Sequence, residues 1–254
     1  MRMNLQTIMK MVSDKTEMFS FDELFQKTKI KKEVLWVIIS RLEERGFIKR
    51  IEKGKYLVVP LTAGKDYTLH EFVIGSALVN PYAIAYWSAL NYHGFTEQIA
   101  GRVFIQTTSW KEKQKLETLG VTYQFVRIKK EKFFGVRKIW IEETQVNITD
   151  KEKTIVDCLD KPQYCGGIIE VAKAINLHKK EVDFNKLAEY AKKMGNSGVV
   201  RRLGYLCDFY SIKIKLERPD VRNYLLFDPT MPEEVTKNSK WRLIINLSEK
   251  SLKE

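Results

Sequence analysis

The hydrophobic positions of the first sixty residues follow a helical period and then a strand period. Residues 31–45 predict a helix, because four apolar residues recur there at i, i+3, i+4 and i+7 and so share one face. These four residues are Leu35, Ile38, Ile39 and Leu42. After Gly46 the apolar and polar residues alternate over 47–51 and again over 55–59, which predicts a β-hairpin.

Two further helices are predicted ahead of this one. Residues 4–11 are rich in apolar residues and predict a short helix. Ser20 and Glu23 have the spacing of a capping box, so a second helix is expected to begin after Ser20 and to run to about Thr28. Three helices followed by a two-stranded ribbon is the element order of a winged helix-turn-helix, whose third helix enters the major groove of DNA.

The face of the third helix opposite its apolar stripe is the predicted DNA-reading surface. It carries Glu33, Trp36, Val37, Ser40, Arg41 and Glu44. We expect Ser40 and Arg41 to discriminate between bases, while cations at the helix entrance and on the ribbon contact phosphates. These cations are Lys29, Lys31, Lys32, Arg50, Lys53 and Lys55. Since Glu33 and Glu44 would repel DNA, a winged helix that mediates only protein contacts is the alternative interpretation.

A second, larger domain is predicted after a boundary at residues 60–67, which have no clear period. The domains are 1–60 and 68–254. In the second, helices at 70–79 and 81–92 precede strands at 103–106, 121–126, 138–141 and 145–148, helices at 150–160, 167–177, 184–194 and 197–210, and a last strand at 241–247. Runs of strands followed by runs of helices indicate an α+β fold. We expect a mostly antiparallel sheet and a helical C-terminal part.

The net charge of the chain indicates which class of molecule it would bind. Its 254 residues include 44 Lys and Arg against 32 Asp and Glu, a formal net charge of +12, and such an excess favours polyanions such as nucleic acids. A solvated basic surface is the alternative explanation. In the second domain, further DNA or partner contacts are predicted at Lys111, Lys113, Lys115, Arg127, Lys129 and Lys130.

Several other classes of protein are disfavoured. The chain has no run of about 18 apolar residues and no signal-peptide pattern, so we expect a cytoplasmic protein without membrane contact. The cysteines and histidines lack metal-binding spacing, and no P-loop or nucleophile elbow is present, so no metal, cofactor or catalysis is expected. A restriction-endonuclease-like nuclease is the remaining enzymatic alternative, although residues 142–145 lack the lysine of its Glu-x-Lys motif.

Three short sequence features of the second domain are interpreted as parts of the fold and not as binding or catalytic sites. Thr149 and Glu152 have the spacing of a capping box. His93 shares a helix face with Tyr86 and is expected in the core or at a helix cap. Residues 195–198 are interpreted as the punctuation between two helices, with an anion site at the second helix's N-terminus as the alternative.

Three stretches of the second domain are informative in combination. They are YWSALNYHGFTEQ at residues 86–98, TDKEKTIVDCLD at 149–160 followed by Gly166, Gly167 and Ile168, and VRRLGYL at 200–206. Together with the preceding winged helix, they resemble the AbiEi family of antitoxins, also described as predicted transcriptional regulators of viral defence systems. The resemblance covers nearly the whole chain.

The resemblance implies a repressor that is also an antitoxin of a phage-defence or toxin-antitoxin system. Its N-terminal domain would bind inverted repeats in its own promoter, with protomers paired on double-stranded DNA. Its second domain would oppose a nucleotidyltransferase toxin. A stand-alone regulator without a toxin partner is the alternative.

Overall fold

The chain folds as a mixed α+β protein. The structure, a computed structural model, describes residues 17–60, 62–64, 66–232 and 236–253. Within these ranges there are nine α-helices and three β-sheets, so the expected α+β class is confirmed. The helix predicted over residues 4–11 lies outside the described residues. No helix in the described ranges has the length and hydropathy needed to span a bilayer.

The N-terminal module, residues 18–58, contains two helices and a small antiparallel sheet. Its elements are β1 (Met18–Ser20), α1 (Phe21–Thr28), α2 (Lys32–Glu44), β2 (Ile48–Glu52) and β3 (Lys55–Val58). The sheet order is β1–β3–β2. The predicted capping box at the start of α1 is confirmed: the Glu23 N–H donates to Ser20 Oγ at 3.2 Å, and the Ser20 N–H donates to the Glu23 carboxylate at 2.8 Å.

The apolar stripe of α2 fills the hydrophobic core of this module. Leu35, Ile39 and Leu42 are almost fully buried, in one cluster with Tyr56 of β3. Gly46 has a φ of 75°, a left-handed conformation that glycine adopts without strain, and it lets the chain turn from the end of α2 into β2. The sequence pattern therefore leaves one face of α2 outside the core.

A six-stranded mixed sheet, here called the central sheet, follows the N-terminal module. Its strands are β4 (Ala83–Ile84), β5 (Val103–Thr107), β6 (Lys115–Thr118), β7 (Val121–Arg127), β8 (Val136–Ile141) and β9 (Thr144–Thr149). Their order is β6–β7–β5–β4–β9–β8. Two neighbouring pairs, β5 with β7 and β4 with β9, are parallel, and the other three are antiparallel. The sheet is thus mixed with a majority of antiparallel pairs, so the predicted mostly antiparallel sheet is confirmed in part.

The helix predicted over residues 81–92 is wrong in its first half. Ala83 and Ile84 are fully buried and form β4 inside the central sheet, and α4 (Tyr86–Tyr92) begins only after them. A short apolar run of this kind has the same hydrophobicity pattern in a buried strand and in a helix. The preceding helix, α3 (Glu71–Leu78), lies where it was predicted.

The helical part, residues 151–253, follows the central sheet. Its helices are α5 (Lys151–Asp160), α6 (Ile168–Leu177), α7 (Phe184–Lys193), α8 (Ser197–Phe209) and α9 (Glu249–Lys253), and its strands are β10 (Leu225–Leu226), β11 (Lys237–Asn238) and β12 (Leu243–Ile244). The four predicted helices of this region are confirmed as α5 to α8. The strand predicted over residues 241–247 is found, but only two residues of it are paired as β12.

The N-terminal cap of α5 differs from the one predicted from the sequence, whereas the N-terminal cap of α8 agrees with the prediction. Asp150, not Thr149, caps α5: its Oδ1 accepts the Lys153 N–H at 2.8 Å. Glu152 instead accepts the backbone N–H of Asp183 at 3.0 Å. Asn196 caps α8 by accepting the Gly198 N–H at 2.9 Å, so the interpretation of this turn as helix punctuation is confirmed.

The central sheet separates two hydrophobic cores. Consecutive residues of a strand point to opposite faces, and accordingly Ile105 belongs to the core under α3 while Phe104 belongs to the core of the helical part. Ile51 and Leu57 of the N-terminal module lie in the same core as Ile105. The N-terminal module thus has a core of its own and also contributes Ile51 and Leu57 to a core on the other side of the predicted boundary at residues 60–67.

Candidate nucleic-acid interface

The face of α2 that points away from the hydrophobic core, here called the outward face, is exposed to solvent. Its members, defined by their position opposite the buried stripe, are Glu33, Val34, Trp36, Val37, Ser40, Arg41 and Glu44, and all are exposed. Three of them are large and apolar: Val34 is 49% exposed, Trp36 42% and Val37 50%. Exposed apolar side chains next to one another on a helix are a feature of surfaces that bind other molecules.

Two side chains of this face have contacts that fix their position. The indole of Trp36 stacks on the ring of Phe21 in α1, with ring centroids 4.2 Å apart and planes 17° from parallel. The Ser40 hydroxyl donates to the Glu44 carboxylate at 3.4 Å. Arg41, in contrast, forms no ion pair with any described residue, so its guanidinium can reach a ligand.

Three lysines surround the entrance of α2, as predicted from the sequence. Lys29 adopts a left-handed conformation with a φ of 53° at the end of α1, and Lys31 is the N-cap residue of α2. The Lys32 ammonium lies 5.2 Å from the centre of the Phe25 ring. All three side chains are exposed and form no ion pair within the described ranges, so their charges face solvent at the positive end of a helix dipole.

The cations of the β2–β3 hairpin divide into two groups. Arg50 and Lys53 are exposed, and neither is ion-paired with a described residue. Lys55 is only partly exposed: its Nζ donates to the Leu78 carbonyl at 2.6 Å and lies 3.5 Å from the Glu52 carboxylate. Burial lowers the pKa of Lys55. Its charge is engaged in the contact between the N-terminal module and α3.

Lys111 is engaged in the same contact. Its Nζ donates to the Glu52 carboxylate at 2.7 Å and to the Leu78 carbonyl at 3.1 Å. These partners come from distant parts of the sequence, and no local pattern identifies Lys55 and Lys111 as internal. The structure thus places both lysines, predicted as DNA contacts, within the molecule's own ion-pair network around Glu52.

The remaining cations predicted in the second domain are exposed. They are Lys113, Lys115, Arg127, Lys129 and Lys130. Lys115 pairs with Gln124 across β6 and β7, and Arg127 is the last residue of β7. Lys111, four residues before Lys115, contacts the hairpin at Glu52, so the segment that leads into β6 adjoins the N-terminal module.

Of the three stretches that resemble the AbiEi family, two contain α5 and part of α8 of the helical part, and the first contains α4, whose Tyr86 and Leu90 belong to the core of the helical part. Lys153 and Asp157 of α5 form an ion pair, with side chains that are 0% and 2% exposed. Arg202 donates to the backbone carbonyls of Leu159 and Phe227 at 2.9 and 2.8 Å. In this chain these residues hold helices and loops together, a role for which the sequence gives no signal beyond their residue types.

Neither a metal-binding cluster nor a nuclease motif is found in the residues that the structure describes. In the described part of the chain, no group of three or more His, Cys, Asp or Glu side chains is arranged to hold a metal ion. Glu142 and Glu143, the residues nearest to a nuclease motif, form the exposed turn between β8 and β9. The outward face of α2 is therefore the candidate site.

Comparison with known proteins finds a likeness of fold. Neither a protein-family model nor a curated protein sequence matches the chain. Among solved structures, the crystal structure of the Rv2827c protein from Mycobacterium tuberculosis is similar, with a TM-score of 0.64 and 12% sequence identity. The alignment covers 98% of this chain and 91% of that chain. The two proteins thus share a fold over almost their whole lengths.

Proposed function

We propose that the protein is a transcriptional repressor that binds double-stranded DNA through a winged helix-turn-helix in its N-terminal module. The carrying observation is the outward face of α2, which lies outside the hydrophobic cores and has exposed cations on both sides. Lys29, Lys31 and Lys32 flank the start of the helix, and Arg50 and Lys53 lie on the hairpin. This spacing suits a helix in the major groove with phosphate contacts on either side.

The salt dependence of binding tests this proposal. If each protomer neutralises roughly 4 to 6 phosphates, the logarithm of the affinity should fall against the logarithm of the salt concentration with a slope of about −4 to −5. The DNA would be the region upstream of the protein's own gene, with binding followed by fluorescence anisotropy. An affinity that does not change with salt would contradict the proposal.

A matched pair of variants tests whether the phosphate contacts lie beside α2. Lys31→Ala removes one charge beside α2, and we expect it to reduce the slope by about 1. Lys179→Ala removes the same charge at an exposed position beyond α6 and should leave the slope unchanged. Equal effects of the two variants would show that binding depends on net charge and would refute the proposed interface.

Opposition to a nucleotidyltransferase toxin, which the AbiEi resemblance implies for the second domain, stays a prediction. Because Ile51 and Leu57 share a core with the central sheet, removing the N-terminal module would expose that core, so the test uses the full chain. The Arg41→Ala variant, expressed beside a neighbouring nucleotidyltransferase gene, should still protect cells from growth arrest. Arrest despite normal amounts of folded variant would contradict an antitoxin role independent of DNA.

A further inference from the structure

Two valines form an apolar patch on the outward face of α2. Val34 and Val37 are each about half exposed, and neither belongs to a hydrophobic cluster of the described residues. They lie three residues apart and are therefore neighbours on the helix surface. Arg41 follows Val37 by four residues, so the three side chains form one row, apolar at its N-terminal end and cationic at its C-terminal end.

The other aromatic and polar side chains of this face leave the row free. Trp36 is turned aside, since its ring stacks on Phe21, and the Ser40 hydroxyl is bonded to Glu44. The residues that a ligand would meet at the centre of the face are thus the two valines. Covering two exposed aliphatic side chains that are neighbours on one helix face is favourable in water, so this patch favours a partner that offers apolar groups.

The major groove offers one apolar group to such side chains. Among the four bases, only thymine carries a methyl group at the groove edge, and aliphatic side chains contact it directly, whereas arginine pairs with guanine O6 and N7. The first turns of a recognition helix are the part that reaches the base edges. Val34 and Val37 are the third and sixth residues of α2, which places both in that part.

We propose that Val34 and Val37 read the methyl groups of two thymines in each DNA half-site, beside a guanine that the longer side chain of Arg41 reaches from the following turns of the helix. This inference rests on the proposed binding of duplex DNA by α2. Glu33, in the first turn of α2, then acts against the wrong sequences, because its carboxylate accepts hydrogen bonds from cytosine N4 or adenine N6 and repels the guanine acceptors. The operator should accordingly be rich in thymine on the strand that faces the first half of α2.

Replacement of thymine by deoxyuridine tests the methyl contact alone, because it removes the methyl group and keeps the base pair. Duplexes selected by the full-length protein from a random library would be remade with deoxyuridine at one thymine at a time. We expect the affinity to fall about 4-fold at two positions of the half-site, the value for one buried methylene-sized group. The penalty at one position should disappear in Val37→Ala, and that at the other in Val34→Ala.

A control variant, together with the measured affinity for DNA, distinguishes a failure of the proposed methyl contact from a failure of the proposed function. Ile99→Ala shortens an apolar side chain that is 88% exposed outside the N-terminal module, and both deoxyuridine penalties should persist in it. DNA binding without any deoxyuridine penalty, or penalties that persist in both valine variants, would overturn this inference and leave the proposed function intact. Absence of salt-dependent duplex binding would overturn both. Circular dichroism would verify that the variants keep their helices.

Discussion

At the scale of the residue, exposure and partners decide which side chains are free to bind and which support the fold. Arg41 and Lys53 are exposed without an ionic partner among the described residues, whereas Lys55 is held by Leu78 and Glu52. All three are predicted from the sequence to contact DNA, and their residue types are the same or similar. Only the surrounding structure distinguishes a ligand-binding cation from one in an internal contact.

Arg41 and Lys53 are expected to have different effects on specificity. A guanidinium that pairs with a base edge contributes about 1 to 3 kcal/mol of discrimination, so Arg41→Ala should weaken the binding of selected DNA by roughly 10-fold and barely affect random DNA. Lys53→Ala, which removes a phosphate contact, should weaken both equally. Competition assays with the two DNAs measure the ratio. Equal losses from both variants would contradict this division of roles.

His93 makes the stability of the fold depend on pH. Its Nε2–H donates to the Thr149 carbonyl at 2.7 Å, and burial lowers the pKa of His93. His93 is the partly buried C-cap residue of α4, so of the two positions expected from the sequence, core or helix cap, the cap is confirmed. Since the pKa in the fold lies below the ordinary value of about 6.5, the neutral ring stabilises the fold above that pH, and the stabilisation is lost as the pH falls through the lowered pKa.

Comparison of the wild type with His93→Gln isolates this effect. The amide of glutamine can donate the same hydrogen bond but does not titrate between pH 5 and 7. We expect the free energy of unfolding of the wild type, relative to that of the variant, to decrease as the pH falls from 7 to 5. Urea unfolding followed by circular dichroism at several pH values is the measurement. A difference in the free energy of unfolding that stays constant from pH 7 to pH 5 would contradict this role of His93.

At the scale of the element, α5 carries a buried charge pair. Lys153 and Asp157 are four residues apart on α5, and Lys153 also lies over the Phe134 ring at 4.9 Å. Burial raises the pKa of Asp157 to about 6, against the lowering effect of Lys153. The helix itself was predicted from its cap and period, but the burial of these charges depends on the contacts of α5 with α4, α7 and α8.

Removal of one member of this pair should be more harmful than removal of both. Asp157→Ala leaves the Lys153 charge buried without compensation, which costs about 3 to 5 kcal/mol. The double variant Lys153→Met with Asp157→Val replaces the pair by apolar groups of similar volume, so its free energy of unfolding should lie close to that of the wild type. Chemical denaturation measures both. A double variant as unstable as Asp157→Ala would contradict this account.

The secondary structure was predictable wherever the hydrophobic period was long. The capping box and the four-residue stripe define α1 and α2, and the two alternating runs define the hairpin. Strand β4, only two residues long, and β6, an exposed edge strand of sequence KLET, were missed. A short buried strand and a polar edge strand have no period of their own, because each is held in place by hydrogen bonds to neighbouring strands from elsewhere in the chain.

At the scale of the whole molecule, the N-terminal module is joined firmly to the central sheet. Ile51 and Leu57 are part of the core beneath α3, and the Glu52 carboxylate accepts a hydrogen bond from the Lys111 ammonium. At a further point, the Thr144 hydroxyl donates to the Glu17 carboxylate at 2.9 Å. These contacts fix the position of the N-terminal module on the central sheet, an arrangement that sequence periods do not encode.

The central claim is that the outward face of α2 enters the major groove, and local cleavage of DNA tests it most directly. The three cysteines within the described residues are buried, so a cysteine introduced by Ser40→Cys is labelled selectively with an iron chelate that generates hydroxyl radicals. We predict cleavage confined to a few base pairs within the bound site, with the strand offset of a major-groove source. Lys179→Cys, labelled identically, should give none. No localised cleavage from the Ser40→Cys protein while it is bound to DNA would contradict the claim.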